Sequence, residues 1–293
     1  MGIQKTVWIL TNGSFNHPDA ELLKRSLISE GIIARIEEMH NIVKKIKDGD
    51  VVFGFGWQSN VEDLNDSLKA AGKESVKVKT AVMVDWHTSL KGIESIEVDE
   101  DKLLSIVDLV LVRSQFEKDK ILSVHTKFHP DDMYVVGGLE SYFDILNVAP
   151  RTSWEVRENV IAYPYPVSNK ANTELSNLMG EYRSRYPKES FTVIRMFANY
   201  NSKEEYYAAL SRAKVIYGSV HDKWPDVIIN ATFLGVYPFV PDEGIFKEIF
   251  QDEFRTKESV DKVELMHSLL NKKEAAPIVC YVSKSMNDLL RAL

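Results

Sequence analysis

The chain has 293 residues, a hydrophobic fraction of 44% and a formal net charge of −7. That length suits two domains of about 150 residues each, and the apolar content supports packed cores, which excludes general disorder. The charge is uneven: residues 1–150 carry 17 basic and 24 acidic side chains, and residues 151–293 carry 19 of each. An anionic ligand therefore meets less repulsion on the second half, and a broad nucleic-acid surface is not expected on the first.

Residues 7–10 are a buried first strand, followed by a turn through Asn12 and Gly13. Pro18 opens a helix that Gly31 closes. Strand 32–36, helix 39–47, strand 51–55 and a helix capped by Asn60 and running to 71 come next. Strand 80–84 ends at Asp85, Trp86 and His87; strand 109–112 leads into helix 115–124; strand 134–136 ends at Gly137. Short apolar runs alternating with helical segments indicate βαβ units and a parallel sheet. Ligands of such sheets sit beyond the carboxyl ends of the strands, which places Gly13, Trp57, His87, Ser114 and Gly137 on one rim. Residues 147–159 are polar, contain Pro150 and lack periodicity, so they are expected to link two domains, 1–150 and 151–293.

A second α/β series starts with strand 160–162, helix 172–186 and strand 191–197. Ser202 and Glu205 form a capping-box pattern. The stretch 204–242, EEYYAALSRAKVIYGSVHDKWPDVIINATFLGVYPFVPD, then reads as helix, strand 214–217, loop 218–225, helix 226–234 and strand 236–240. A helix over 259–270, an apolar run at 278–282 and a final helix from 286, expected to pack back on the first domain, complete the chain.

Cys280 is the only cysteine, so no intramolecular disulfide can form. No run of 18 apolar residues occurs, so no membrane span is expected. The chain enters a strand at once, so no secretory leader is expected either. Together these point to a cytoplasmic protein. His125 and His129 have the four-residue spacing of a metal pair, but Pro130 ends the helix there and no third ligand offers itself. Asp99, Glu100 and Asp101 suit a helix N-terminus better than a metal site. No metal is expected. The lysines at 69, 73, 77 and 79 read as a solvated face.

Within 204–242, Asp222 stands eight residues before Asn230, and Ala231, Gly235, Pro238, Pro241 and Asp242 follow. This pattern resembles the donor-binding segment of retaining GT-B glycosyltransferases of the family-4-like group 1 enzymes. There an acid, seven residues and a second acid precede Ala-x-x-x-Gly and a Pro-Val-Val-x-x-Asp-like strand end. Both acid positions depart from glutamate: Asp222 is one methylene shorter and Asn230 lacks the charge. Lys223 and Pro225 replace glycines of the family's loop. Tyr163-Pro-Tyr-Pro-Val-Ser-Asn-Lys170 resembles the Phe-Pro-x-Arg…Glu-Lys stretch that opens the second domain of some of these enzymes. Lys170 matches the phosphate-binding lysine, while Pro166 stands where the arginine would be. Arg195 is a candidate substitute cation.

The resemblance implies two Rossmann-like domains facing across a cleft, the GT-B arrangement. It implies transfer of a sugar from a nucleoside diphosphate sugar to a hydroxyl acceptor, with retention and without a metal or other cofactor. Asp222 and His87 would orient the sugar. Gly13, Lys170, Arg195, Ser219, Trp224, Pro225, Asp226 and Asn230 would hold the donor, with the helix N-terminus facing the diphosphate and Asn230 the ribose. Each has an ordinary alternative: a loop acid, a strand-end polar cap, an Asn-Gly turn, a solvated lysine. Three other functions fit the altered motif. The acceptor could be a modified base in DNA or tRNA, reached by base flipping. The chain could bind nucleotide sugars without turnover, or it could epimerise them.

Overall fold

The computed structural model describes residues 5–11, 18–56, 60–84, 94, 99–137, 142–149, 151–164, 169–196, 200, 202–221, 225–278 and 289. The chain divides into two compact units. One comprises Met1–Trp86, Ile93–Leu139 and Val282–Leu293, the other His87–Gly92 and Glu140–Tyr281.

The first unit is a six-stranded, all-parallel sheet. Its strands are β1 (Thr6–Thr11), β2 (Ile33–Glu38), β3 (Val51–Phe55), β4 (Lys79–Met83), β5 (Leu109–Val112) and β6 (Met133–Val135), in the order β2-β1-β3-β4-β5-β6. Helices α1 (Pro18–Ser29), α2 (Met39–Lys45), α3 (Leu64–Ala70), α4 (Glu100–Leu104) and α5 (Gln115–Val124) connect them. Strand residues alternate between the two faces. Val7 and Ile9 pack with Leu23 and Leu27 of α1, whereas Trp8 and Leu10 pack with Ile42 of α2 and Leu64 of α3. Leu289, fully buried, belongs to the α1 side of this core. Both faces being covered explains why β3 and β5 read as continuous apolar runs. Asp50 is a buried carboxylate that accepts from Thr6 N–H at 2.9 Å, Trp8 Nε1 at 2.9 Å and Lys47 N–H at 3.0 Å, so its burial is compensated.

The second unit is a five-stranded parallel sheet, β11-β10-β9-β7-β8. It is built from β7 (Val160–Tyr163), β8 (Thr192–Arg195), β9 (Val215–Tyr217), β10 (Tyr237–Pro241) and β11 (Arg255–Thr256). Helices α6 (Tyr142–Val148), α7 (Asn169–Arg185), α8 (Lys203–Leu210), α9 (Asp226–Phe233), α10 (Gly244–Ile249) and α11 (Lys262–Leu270) flank it. Helix α7 packs against α11, while α6 packs against α8 and α9, giving two helical layers. Gly235 ends α9 with φ +80°, the left-handed conformation that glycine adopts without strain.

Residues 151–159 do not form the linker expected of them. Trp154 is buried, donates its Nε1–H to Lys272 O at 2.9 Å and meets Tyr237 edge-on. The Arg157 guanidinium, also buried, donates to the carbonyls of Thr152, Ala213 and Leu234. Burial and, secondarily, Arg151 lower its pKa to about 10, which leaves it charged at neutral pH. The polarity taken for solvation is spent on internal hydrogen bonds, so the segment belongs to the second unit. Among the described residues, no helix is long and apolar enough to cross a membrane.

Candidate functional site

In the second unit β7 pairs with β8 on one side and β9 on the other. The chain leaves β7 toward one edge of the sheet and later returns to β7's other side. The order counted from β7 is 2-1-3-4-5, whose ligand crevice lies where the first and third strands part, at their carboxyl ends. Here that is the β7/β9 junction.

The strand ends meet in one row. Tyr163 stands opposite Arg195, Ala162 opposite Ile216, and Tyr217 opposite Phe239. Tyr163 meets Tyr217 edge-on at 5.6 Å, and Tyr217 stacks on Phe239 at 5.8 Å. Tyr163 and Tyr217 are both buried.

Two helices, α7 and α9, follow β7 and β9 in the chain. Helix α7 starts at Asn169, and Lys170 in its first turn is exposed, without a hydrogen bond or ion pair among the described residues. Arg195 Nη2 donates to Asn172 Oδ1 at 2.6 Å, tying the end of β8 to that turn. His221, in the loop after β9, places Nε2 3.5 Å from Glu174 Oε1 one turn further along α7. Its backbone N–H donates to Ser219 Oγ at 3.2 Å, and Ser219 is buried. The first turn of α7 thus receives the β8 end, and its second turn the β9 loop. Arg195 and the Ser219–His221 segment are thereby both tied to α7, the helix whose first turn carries Lys170.

Gly218 sets the approach of α9. A Cβ there would lie 2.5 Å from Ile228 Cδ1 and 3.1 Å from Val240 Cγ1. Pro225 is the N-cap residue of α9, and its carbonyl accepts from Ile228 and Ile229 N–H at 2.9 Å each. Asp226 in the first turn interacts favourably with the helix dipole but adds negative charge where an anion would approach. Asn230 is 3% exposed, and its Nδ2 donates to the Tyr207 hydroxyl of α8 at 2.9 Å. Tyr207 is itself buried, with Tyr206 edge-on at 5.4 Å and Lys203 Nζ 5.7 Å from its ring centre. Burial, then Tyr200, push the Tyr206 hydroxyl pKa upward, so it stays protonated. Asp242, at the end of β10, forms an ion pair with the buried Arg255 at 2.6 Å, which joins β10 to β11.

Gly13, His87, Asp222 and Trp224 lie outside the described residues. Of the ten candidate residues, Arg195 ends β8, Ser219 lies in the loop after β9, Lys170 is in α7, and Pro225, Asp226 and Asn230 cap or belong to α9. The sequence did not single out Tyr207, Asn172, Glu174 or His221. Tyr207 read only as an apolar helix position, and its partner is 23 residues away. On the segments that follow β7, β8 and β9 the unit carries an exposed cation, a second cation held by a side chain, two helix N-termini worth roughly half a positive charge each, and a buried amide. Those are the elements of an anion site with a polar extension.

No protein-family model matches the sequence, and no curated protein matches it either. Among solved structures the chain is similar to the Anabaena protein Alr3699/HepE in complex with UDP and glucose. Identity is 10%, the match covers 91% of this chain and 89% of that one, and the TM-score is 0.51. It also matches S. aureus MnaA with UDP, at 8% identity over 92% and 88% with TM-score 0.49. A third match is the catalytic domain of starch synthase IV from Arabidopsis thaliana bound to ADP and acarbose, at 9% identity over 89% and 75% with TM-score 0.43. The first likeness runs through both units, and with the two parallel sheets it gives the fold: α/β, two Rossmann-like domains of the GT-B class.

Proposed function

We propose that the protein is a glycosyltransferase that moves a sugar from a nucleoside diphosphate sugar to a hydroxyl acceptor. The observation that carries this reading is the β7/β9 junction, where the second turn of α7 meets the β9 loop through the His221–Glu174 contact and Lys170 stands exposed one turn earlier. Support comes from the GT-B fold, shared with a protein whose structure holds UDP and glucose. In this account Lys170 and the helix N-termini stabilise the charge that develops on the leaving diphosphate. Asn230 holds the ribose. Asp222 and His87 orient the sugar, and no protein nucleophile is required. Retention at the anomeric carbon and independence of metal belong to the same proposal.

Asn230 favours a second reading. An amide at that position, already bonded to Tyr207, suits a protein that binds a nucleotide sugar without turning it over. One assay separates the two. The protein is incubated with UDP-glucose, GDP-mannose and ADP-glucose and a panel of acceptors: alcohols, oligosaccharides, duplex DNA bearing hydroxymethylated bases, and tRNA. Mass spectrometry of the acceptors is expected to show a hexose added to one class, and Lys170→Ala is expected to slow that addition at least tenfold. Bound nucleotide with no transfer and no hydrolysis of any donor would favour the binding protein.

A further inference from the structure

We infer that the amino-terminal edge of the first sheet is a docking surface for an anionic lipid bilayer. The inference goes beyond the donor-site reading and does not depend on it. Strands β2, β1, β3 and β4 are neighbours in that order, and their starts are level. Thr6 stands opposite Ile33, and Val7, Val51 and Lys79 form one row. The segments that enter these strands therefore emerge side by side, about 4.8 Å apart per strand. Lys5 precedes β1, Lys47 precedes β3 and Lys77 precedes β4. Asp50 Oδ1 accepts the Thr6 N–H at 2.9 Å, Asp48 Oδ1 accepts the Lys77 N–H at 2.8 Å, and Gly49 N–H donates to Lys77 O at 2.8 Å. Helices α2 and α3 end at the same edge, where Lys73 Nζ donates to Lys44 O at 2.9 Å. Folding thus gathers Lys5, Lys44, Lys47, Lys69, Lys73 and Lys77 from three stretches of chain.

In the sequence, lysines 69, 73 and 77 read as a solvated face, and the acidic total of residues 1–150 hides the local excess. Those six lysines face three acids on the same stretches, Asp48, Asp50 and Glu74, and Asp50 is buried. Lys45 and Lys79 are already paired, with Glu37 and Asp108, and Lys73 is turned to the end of α2. Lys5, Lys44, Lys47, Lys69 and Lys77 are exposed and form no ion pair among the described residues. Helix ends account for Lys44 and Lys69, whose charge complements the dipole. Lys5, Lys47 and Lys77 lie outside helices and have no such role. Like charges crowded together repel, and an anionic surface relieves that repulsion. A polybasic surface alone holds a bilayer weakly, and a second, apolar signal is needed. Ile28 and Ile33 supply it, at 51% and 36% exposure. They flank the turn that enters β2 beside Lys5, where Gly31 N–H donates to Ile28 O at 2.9 Å. Exposed apolar side chains next to free lysines suit headgroups over acyl chains better than nucleic acid, whose backbone offers phosphates alone. Beyond β4 the edge turns acidic at Asp108, so contact is confined to the β2–β4 side.

Co-sedimentation with vesicles tests the inference, using an equal mixture of phosphatidylglycerol and phosphatidylcholine beside phosphatidylcholine alone. Wild type is expected to pellet with the mixed vesicles at low ionic strength, to stay in solution with the neutral ones, and to detach as salt is raised. Each lysine near such a surface contributes roughly fivefold. The triple variant Lys5→Gln, Lys47→Gln, Lys77→Gln should therefore partition about a hundredfold less. Ile28→Ser with Ile33→Ser should weaken attachment severalfold and leave its salt dependence unchanged. The control is Lys188→Gln, Lys247→Gln, Lys262→Gln, three exposed lysines of the second unit. It makes the same change in net charge and should bind vesicles as wild type does. Circular dichroism with a thermal melt checks that each variant folds. If the first triple variant does not, Lys44→Gln with Lys69→Gln carries the test, with an expected loss of roughly 25-fold. Equal binding to neutral vesicles, an equal loss in the control, or no vesicle binding by wild type overturns the inference. Wild type that shifts a labelled DNA duplex but ignores vesicles overturns it too and gives the lysines to nucleic acid. None of these outcomes touches the donor site, which nucleotide titration tests separately.

Discussion

Gly218 shows how a single residue governs the site from beneath. It follows β9, its N–H donates to Phe239 O at 2.9 Å, and it lies where α9, β10 and α10 converge. Ile228 and Phe246 are fully buried beside it. Gly218→Ala would put a methyl group against the buried side chains of Ile228 and Val240, which must give way. Urea denaturation should show a loss of about 1–3 kcal/mol, the range for overpacked cores. The same variant should weaken nucleotide binding where Ile228 passes the displacement on to the start of α9. Unchanged stability would mean that the packing around the glycine is looser than the structure has it. At this scale the sequence exposes charge and backbone freedom, not pairing. Lys170, Arg195 and Asn230 could be named from spacing and resemblance. The Asn230–Tyr207 bond could not, because it joins two helices and neither residue type announces the other.

Element by element, legibility follows local signal strength. Strand Leu109–Val112 and helix Gln115–Val124 stand where the sequence puts them. The strand is an unbroken apolar run, and Ser114 caps the helix by accepting from Glu117 N–H at 3.0 Å. Ser202 likewise accepts from Glu205 N–H at the start of α8. Helices Tyr142–Val148 and Gly244–Ile249 and strand Arg255–Thr256 were not foreseen. They are two to seven residues long, too short for periodicity to register, and tertiary packing decides them. Helix α11 gives a prediction that belongs to this scale. Asp261 caps it by accepting from Val263 and Glu264 N–H and pairs with Arg185 of α7. Arg185, then the Glu264 N–H, hold the Asp261 carboxyl below its ordinary value of 3.8. A folded-state pKa below the unfolded one stabilises the fold above the unfolded value, and that contribution is lost as pH falls through the folded one. Asp261→Ala should therefore lower the urea midpoint at pH 7. The gap to wild type should narrow steadily below about pH 4. A gap that stays constant from pH 7 to pH 2.5 would contradict the account.

For the whole molecule, both units repeat one topological idea. Each has a first strand flanked by the second and the third, and each therefore carries a junction at its carboxyl edge where a ligand can enter. The alternation of short apolar runs and helices made the parallel sheets legible, though not the order of their strands. The expected linker was misread. Residues 151–159 look like a linker because they are polar, yet Trp154 and Arg157 anchor them in the second unit. The charge distribution also acts at this scale: the acidic excess is confined to residues 1–150, so an anionic donor is better tolerated by the unit holding Lys170. The central claim is that this junction binds a nucleoside diphosphate. Isothermal titration of wild type and Lys170→Ala with UDP, GDP and ADP tests it most directly. The account predicts that one of the three binds and that the substitution weakens it about tenfold, the loss of one charge-assisted contact. No binding of any of them, or binding that Lys170→Ala leaves unchanged, would contradict it.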